Sequence, residues 1–417
     1  MQEPTRLDPV RVRAEFPALR TEVAGRPAAF LDGPGGTQVP RAVIEAMSDH
    51  LVRANANTHG PFLTSIRNDE AIARARLAMA DLLGCLPAEV VFGPNMTTLT
   101  FALARALARE WAPGDEVVVT ALDHDANVAP WKVLEEQGIV VRTVDIRPDE
   151  CTLDLDDLEQ KLGTRTRLVA VGWASNAVGT INPVHRIGEM ARAHRALLFV
   201  DAVHYAPHRS IDVASAGCDF LACSVYKFFG PHVGALYGRR ELLDRLSPYK
   251  VRPASDESPE RWETGTQNHE GLAGTTAAVD YLAGLGAGTA SFAGARRERL
   301  REAFAAIGDH ERRLARRLLD GLNGIAGIRV YGIADPGRLD ERTATFSIRL
   351  HSTPPPEASR ALGERGIFTW AGNFYALGLT ERLGVESSGG LLRIGLVHYN
   401  TDQEVDRLLD EVARLSR

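Results

Sequence analysis

Residues 196–227 read ALLFVDAVHYAPHRSIDVASAGCDFLACSVYK: two apolar, β-prone runs, one ending in Asp201 and the other leading through Ser224 to Lys227. The two charged residues are 26 positions apart, the span of one strand–helix–strand step, which brings them to the ends of neighbouring parallel strands. A carboxylate and a lysine then share one pocket. Alone the pair is weak evidence, because a lysine after a strand is ordinarily a solvated surface residue.

Outward from this stretch, between about residues 70 and 250, short β-branched runs alternate with longer helical patterns. Strands are expected at EVVF around Val90, EVVVTA around Val118, VVRTVDI around Val141, RLVAVGWAS around Val169, ALLFVDA around Phe199 and FLACSVY around Leu221. This alternation is the mark of an α/β fold with a largely parallel sheet. Just past these runs stand Asn95 and Thr97, His124, Asn176, Asp201 and His204, then Ser224 and Lys227. In open α/β sheets that carboxyl edge is where ligands bind. After residue 290 the pattern changes to a long Arg- and Ala-rich helix, short strands at IRVYGI and ATFSIRL, and a last helix from Asp402. This reads as a smaller α+β unit joined by the N-terminal segment. Residues 250–268 form a long loop rich in charge and turn formers, and Pro354 to Pro356 a local rigid turn.

A chain of 417 residues exceeds one core, so a large and a smaller domain are expected. With 48 Lys and Arg against 54 Asp and Glu, the formal charge of −6 gives no reason to expect a nucleic-acid partner. No apolar run approaches the roughly 18 residues of a membrane span, and the charged start MQEPTRLDPVRVRAEF has no signal-peptide core, so a cytoplasmic protein is expected. Cys85, Cys151, Cys218 and Cys223 form no CxxC pair and read as reduced packing residues. His204 and His208 have a metal-like spacing, but a proline lies between them and no third ligand is near, so no metal is expected. Residues 33–36 read GPGG followed by Thr37, which is not the dinucleotide fingerprint and excludes a nicotinamide oxidoreductase.

The segment DFLACSVYKFFGPHVGALYG, with VDAVHYAPHRSIDV and WASNAVGTINPV before it, resembles the cysteine desulfurase branch of the class V aminotransferase family of pyridoxal-phosphate enzymes. The likeness runs in order from LDGPGGTQVP near residue 31 to LLRIGLVHYNTDQEVDRLL near the end. It implies the fold type I architecture of PLP-dependent transferases: a large cofactor domain over 30–290 with a mostly parallel seven-stranded sheet, a small α+β domain from 1–29 and 291–417, and a homodimer with a shared active site. Position by position it makes Lys227 the Schiff-base lysine, Asp201 the acid on the pyridine nitrogen of pyridoxal 5'-phosphate, and His124 the histidine stacked on the ring. Asn176 falls near the ring hydroxyl and substrate carboxylate, Ser224 at the phosphate, Thr266 at the neighbouring subunit's phosphate, and Arg393 at the substrate carboxylate. Asn95, Met96 and Thr97, opening the helical run NMTTLTFALARAL, offer N–H groups suited to a phosphate.

Four positions depart from the family pattern. His204 replaces a glutamine and Tyr226 a phosphate-binding histidine, each keeping a hydrogen-bonding group. In FTWAGNFYALGL, Trp370 and Tyr375 stand where the family has an arginine and, five residues on, the cysteine that takes sulfur from substrate; no cysteine follows Cys223. A thiolate is the nucleophile of that relay, and neither aromatic side chain replaces it. The expected activity is therefore Cα-proton abstraction by Lys227 followed by carbon–sulfur β-elimination, a lyase reaction that needs no enzyme thiol, with Trp370 and Tyr375 facing the substrate side chain. A class V aminotransferase or an amino-acid epimerase uses the same first step. A non-catalytic dimeric scaffold is the alternative of another class, and the joint presence of Lys227, Asp201, His124 and Arg393 argues against it.

Overall fold

The computed structural model describes residues 7–285 and 295–417. The expected boundary between residues 290 and 291 lies outside the described residues. The larger sheet has seven strands: β1 (Val90–Gly93), β2 (Glu116–Thr120), β3 (Val140–Val144), β4 (Thr166–Gly172), β5 (Leu197–Asp201), β6 (Phe220–Ser224) and β7 (Gly234–Gly238). Their order is β1-β7-β6-β5-β4-β2-β3. All neighbours are parallel except β7, which is antiparallel to both β6 and β1. The central strands are almost wholly buried, as a sheet covered by helices on both faces requires.

Six of these strands coincide with the apolar runs expected from sequence. The seventh, GALYG, is bracketed by glycines that weaken any strand signal. Those glycines have a use here: a Cβ on Gly234 would lie 2.3 Å from the Asn95 carbonyl carbon, so only glycine lets β7 run against the turn that carries Asn95. The run VVRTVDI divides, because Ile146–Arg147 leaves β3 to pair with Thr152–Leu153.

The main helices are α1 (Arg41–Arg53), α2 (Leu63–Leu83), α3 (Met96–Leu107), α4 (Val184–Ala193), α5 (His269–Leu285), α6 (Arg296–Asn323), α7 (Pro355–Glu364) and α8 (Asp402–Leu415). Helix α2 stops at Gly84, whose φ of +76° supplies the left-handed cap. Helix α8 starts with a capping box between Thr401 and Glu404. The prolines 354–356 do more than the rigid turn expected of them: Pro354 is the N-cap of α7 and Pro355 and Pro356 fill its first turn, where a missing N–H costs nothing.

A second, antiparallel sheet contains β8 (Ile328–Tyr331), β9 (Thr345–Leu350), β10 (Trp370–Gly372) and β11 (Leu391–Gly395), in the order β8-β9-β11-β10. Phe346, Ile348, Leu392 and Ile394 pack there against Leu314 and Leu318 of α6 and Leu408 and Val412 of α8. The N-terminal segment serves both cores: Val12, Phe16 and Leu19 join the larger, whereas Ala29 and Leu31 join the smaller. No described helix is long and apolar enough to cross a membrane.

Candidate active site

Asp201 is the last residue of β5, and Lys227 ends the single 3-10 turn that follows β6. Because β5 and β6 are adjacent and parallel, with Asp201 opposite Ala222, both side chains open into one cavity of about 660 Å³. Asn95, Met96, Thr97, His124, Asn176, His204, Ser224 and Tyr226 line the same cavity. A second chamber of about 590 Å³ shares Pro34, His124, Asn176, Tyr226 and Lys227 with it and adds Trp370, Tyr375 and Arg393. Thr266 is set apart: it lies exposed on the loop after Trp262 and lines neither chamber of its own chain.

Lys227 Nζ donates to the Pro34 carbonyl. Burial pulls its pKa from the ordinary 10.5 to about 7, Arg393 adds to the shift, and Asp201 and Asp32 oppose it. The Asp201 carboxylate is buried and accepts from the Val203 N–H at 2.9 Å; burial lifts its pKa to about 6. At the other end of the cavity, Asn95 caps α3 by accepting from the Thr98 N–H at 2.9 Å, and Ser224 Oγ accepts from the Met96 N–H at 3.1 Å. The Thr97 N–H has no hydrogen-bond partner among the described residues, which leaves a donor at a helix start.

His124 follows β2. Its Nδ1 accepts from the Ala126 N–H at 3.0 Å, and its ring stacks on Tyr375 with centroids 5.3 Å apart and planes 22° apart. Burial, then the positive charges of Lys227 and Arg393, lower its pKa to about 4, so the imidazole is neutral at pH 7. His204 is buried, with Nε2 3.2 Å from Thr343 Oγ1 and its ring edge-on to His208, whose Nδ1 sits 2.8 Å from Glu311. Among the described residues no group of three His, Cys, Asp or Glu side chains is placed to hold a metal ion. Tyr226 stacks on His232, centroids 4.9 Å apart, at the cavity wall.

Arg393, in the middle of β11 and opposite Trp370, is 4% exposed. Its Nη1 donates to the Asn176 carbonyl at 3.0 Å, its guanidinium lies 4.2 Å over the Phe374 ring, and its Nε is buried without a partner. Burial lowers its pKa to about 9, with Asp32 acting the other way. Asn176 Nδ2 donates to the Phe374 carbonyl at 2.8 Å, while Asn176 Oδ1 is buried and unpartnered.

The segment between β10 and α7's neighbour strand β11 carries Phe374 and Tyr375 at φ of +57° and +61°, a left-handed pair that non-glycine residues rarely adopt. Such strain persists only where surrounding bonds over-determine it. Here Asn373 Oδ1 accepts from the Tyr375 N–H at 3.0 Å, the Asp125 N–H donates to the Tyr375 carbonyl at 2.7 Å, and Asn373 Nδ2 donates to Glu386 at 2.9 Å. The loop is therefore fixed in place, with the Tyr375 side chain 72% exposed and Trp370 54% exposed.

Three contributors were not singled out from sequence. Asp32 has a buried, unpartnered Oδ1 and a pKa raised by burial to about 6, despite attraction to Arg393 and Lys227. It ends a short apolar run in the same way as Asp201, which is the signal that could have found it. Asp123 accepts from the Gly172 N–H at 2.7 Å and from Asn127 at 3.0 Å, and burial raises its pKa to about 8. Phe374, packed on Arg393, left no signal in the sequence. The four cysteines are free, none lines either chamber, and burial pushes the thiols up, to about 11 at Cys151 and about 12 at Cys218 and Cys223.

A family model described as aminotransferase class-V matches residues 29–408. A cysteine desulfurase of Serratia proteamaculans is 31% identical over 98% of both chains, and one of Pectobacterium atrosepticum is 32% identical over the same shares. Among solved structures, a cysteine desulfurase of Thermococcus onnurineus superposes with a TM-score of 0.87 at 28% identity, covering 99% of each chain. A cysteine desulfurase of Escherichia coli gives 0.84 at 26% identity, covering 98% of each.

Proposed function

The chain belongs to the aminotransferase class-V family, and from that premise we propose that it is a pyridoxal-phosphate enzyme that removes the Cα proton of an amino-acid substrate and breaks a carbon–sulfur bond by β-elimination. One observation carries the reading: Lys227, an amine with a pKa near 7, shares its cavity with the buried Asp201 carboxylate, while no thiol lines either chamber.

The residues present suit the cofactor. Asp201 has one carboxylate oxygen on the Val203 amide and offers the other to a pyridine nitrogen, Asn176 Oδ1 lacks a partner, and Thr97 N–H with Ser224 at the start of α3 suits a phosphate. His204 and Tyr226 line the cavity as further polar contacts. When bound, pyridoxal phosphate supplies an electrophilic carbonyl and an electron sink. Lys227 holds it, then as a neutral amine takes the Cα proton. Asp201, buried at the same cavity, would hold the pyridine nitrogen of the bound cofactor. Arg393 binds the substrate carboxylate through its unpaired edge, and Asn176, bonded to both Arg393 and the Phe374 carbonyl, fixes that edge. The neutral His124 ring lines the cavity and would meet the bound cofactor without adding a positive charge.

A desulfurase relay needs a thiolate within reach of substrate sulfur, and at that position the chain has Tyr375 on a pinned loop. Elimination needs only the departure of the sulfur group after the proton is removed. The same reading places Thr266 against the neighbouring subunit of a homodimer. Its exposure supports this, as do the exposed Leu51, Val52, Phe62 and Leu63 on or beside α1 and α2, an apolar face suited to a second copy. Four free thiols fit a reducing cytoplasm. Assaying the cofactor-loaded protein with cysteine and S-substituted cysteines tests the proposal. Pyruvate and ammonia are expected, and both vanish in Lys227→Ala; alanine, keto acid with retained sulfur, or simple stereoinversion would replace it with desulfuration, transamination or epimerisation.

A further inference from the structure

The chamber beyond Lys227 is far larger than free cysteine requires. A thiol is of the order of one water, about 30 Å³, against the roughly 590 Å³ of this solvent-open chamber. Its walls are aromatic and small: Trp370, Phe374 and Tyr375 stand beside Gly35, Gly372 and Gly389. A Cβ added at Gly372 would meet nothing within 4 Å, so the space beside it is open, and one added at Gly35 would sit 2.8 Å from Trp370 Nε1, so the indole packs on bare backbone.

The two cations at this chamber, Lys227 and Arg393, already have partners, and its one carboxylate is held by neutral donors. Glu386 accepts from Asn373 Nδ2 at 2.9 Å and from the Thr380 hydroxyl. Lys227 donates to the Pro34 carbonyl, and Arg393 is bound to the Asn176 carbonyl with its remaining edge reserved for an α-carboxylate. No cation is left to pair with an anionic side chain, and the one carboxylate, Glu386, disfavours it further. The exposed faces of Trp370 and Tyr375 instead offer apolar, polarisable surface of the kind that favours thioethers and aromatic rings. The loop that presents them is tied down at Asn373, Phe374 and Tyr375, so the surface is preformed.

We infer that this chamber is the side-chain subsite and that the substrate is a bulky S-substituted cysteine with no anionic group on sulfur, a thioether conjugate, rather than free cysteine. The inference rests on the elimination reading above. The chemistry balances without an oxidant or reductant: Lys227 takes the Cα proton, the Cβ–S bond breaks with its electron pair leaving on sulfur, and the thiolate is protonated to the free thiol. The remaining three-carbon enamine gains one water and yields pyruvate and ammonia.

The test uses the cofactor-loaded protein with S-benzyl-L-cysteine, S-methyl-L-cysteine and L-cysteine. Two signals are followed: thiol and pyruvate release, and exchange of the Cα proton in D2O by NMR. The expected result is a kcat/KM for the benzyl thioether at least 10-fold above that for the methyl thioether and for cysteine. Trp370→Ala should cut this preference at least threefold, and Trp370→Phe should largely keep it. Equal or better turnover of cysteine, with Cα exchange intact, overturns the subsite assignment while leaving the elimination reading in place. Absence of Cα exchange with all three compounds overturns the elimination reading itself, and the subsite assignment with it.

Discussion

If Lys227 is the amine that captures the cofactor, the rate of capture by apoprotein follows the fraction of that amine that is neutral. With its pKa lowered to about 7, roughly nine-tenths of it is neutral at pH 8, whereas a lysine at the ordinary 10.5 is about 0.3% neutral there, a difference of roughly 300-fold in reactive amine. Mixing apoprotein with pyridoxal phosphate in a stopped-flow spectrometer, at cofactor concentrations low enough for second-order kinetics, reads this directly. The rate constant should rise about tenfold per pH unit below the midpoint and level off above pH 7. The sign of two substitutions follows from the charges around the amine. Arg393 disfavours the ammonium, so Arg393→Gln should move the midpoint up; Asp201 favours it, so Asp201→Asn should move the midpoint down. A wild-type midpoint near 10, or a downward shift in Arg393→Gln, would refute the claim that burial and Arg393 set this lysine's reactivity.

Other substitutions test separate parts of the site. Asp201→Asn removes the charge proposed to face the pyridine nitrogen; it should leave the cofactor attached while slowing Cα exchange by about 10²-fold, measured by NMR in D2O. Gly234→Ala forces a Cβ to within 2.3 Å of the Asn95 carbonyl carbon; it should cost about 1–3 kcal/mol in urea unfolding and loosen phosphate binding at the start of α3, measured as cofactor dissociation. Arg76 makes a two-armed bond to Glu263 at 2.7 and 2.6 Å, and Glu263 also accepts from the Phe92 N–H of β1. Arg76→Ala leaves that carboxylate buried and uncompensated, with an expected loss of about 3–5 kcal/mol by chemical denaturation. Asn176→Ala frees the Phe374 carbonyl, whereas the main-chain carbonyl that receives Arg393 stays; faster hydrogen exchange at residues 373–376 should appear with Arg393 still in place.

The parts of the site legible in the sequence are those built on strand ends. A parallel sheet sends every carboxyl edge to one side, so an apolar run followed by Asp201, Asn176 or Lys227 already places the side chain in the right region. The parts that were hidden depend on backbone and long-range packing. Strand β7 is written as GALYG, and its glycines erase the β signal because they serve a close approach to Asn95. The left-handed pair Phe374 and Tyr375 is stabilised by Asn176, Asp125 and Glu386 from distant segments, which no local propensity encodes. Phe374 stacks on Arg393 only because β10 and β11 bring residues 370 and 393 into register. Pro354 to Pro356 read as a local rigid turn and in fact start a helix, since the first turn of α7 has no use for the missing N–H groups.

The central claim is that sulfur leaves with the substrate's own substituent and never passes to the protein. Single-turnover reaction of cofactor-loaded enzyme with S-benzyl-L-cysteine and L-cysteine, followed by product quantification and intact-protein mass spectrometry, tests it most directly. One thiol or sulfide and one pyruvate per active site, with protein mass unchanged, is the predicted result. Alanine accompanied by a sulfur adduct on Cys85, Cys151, Cys218 or Cys223 would contradict it.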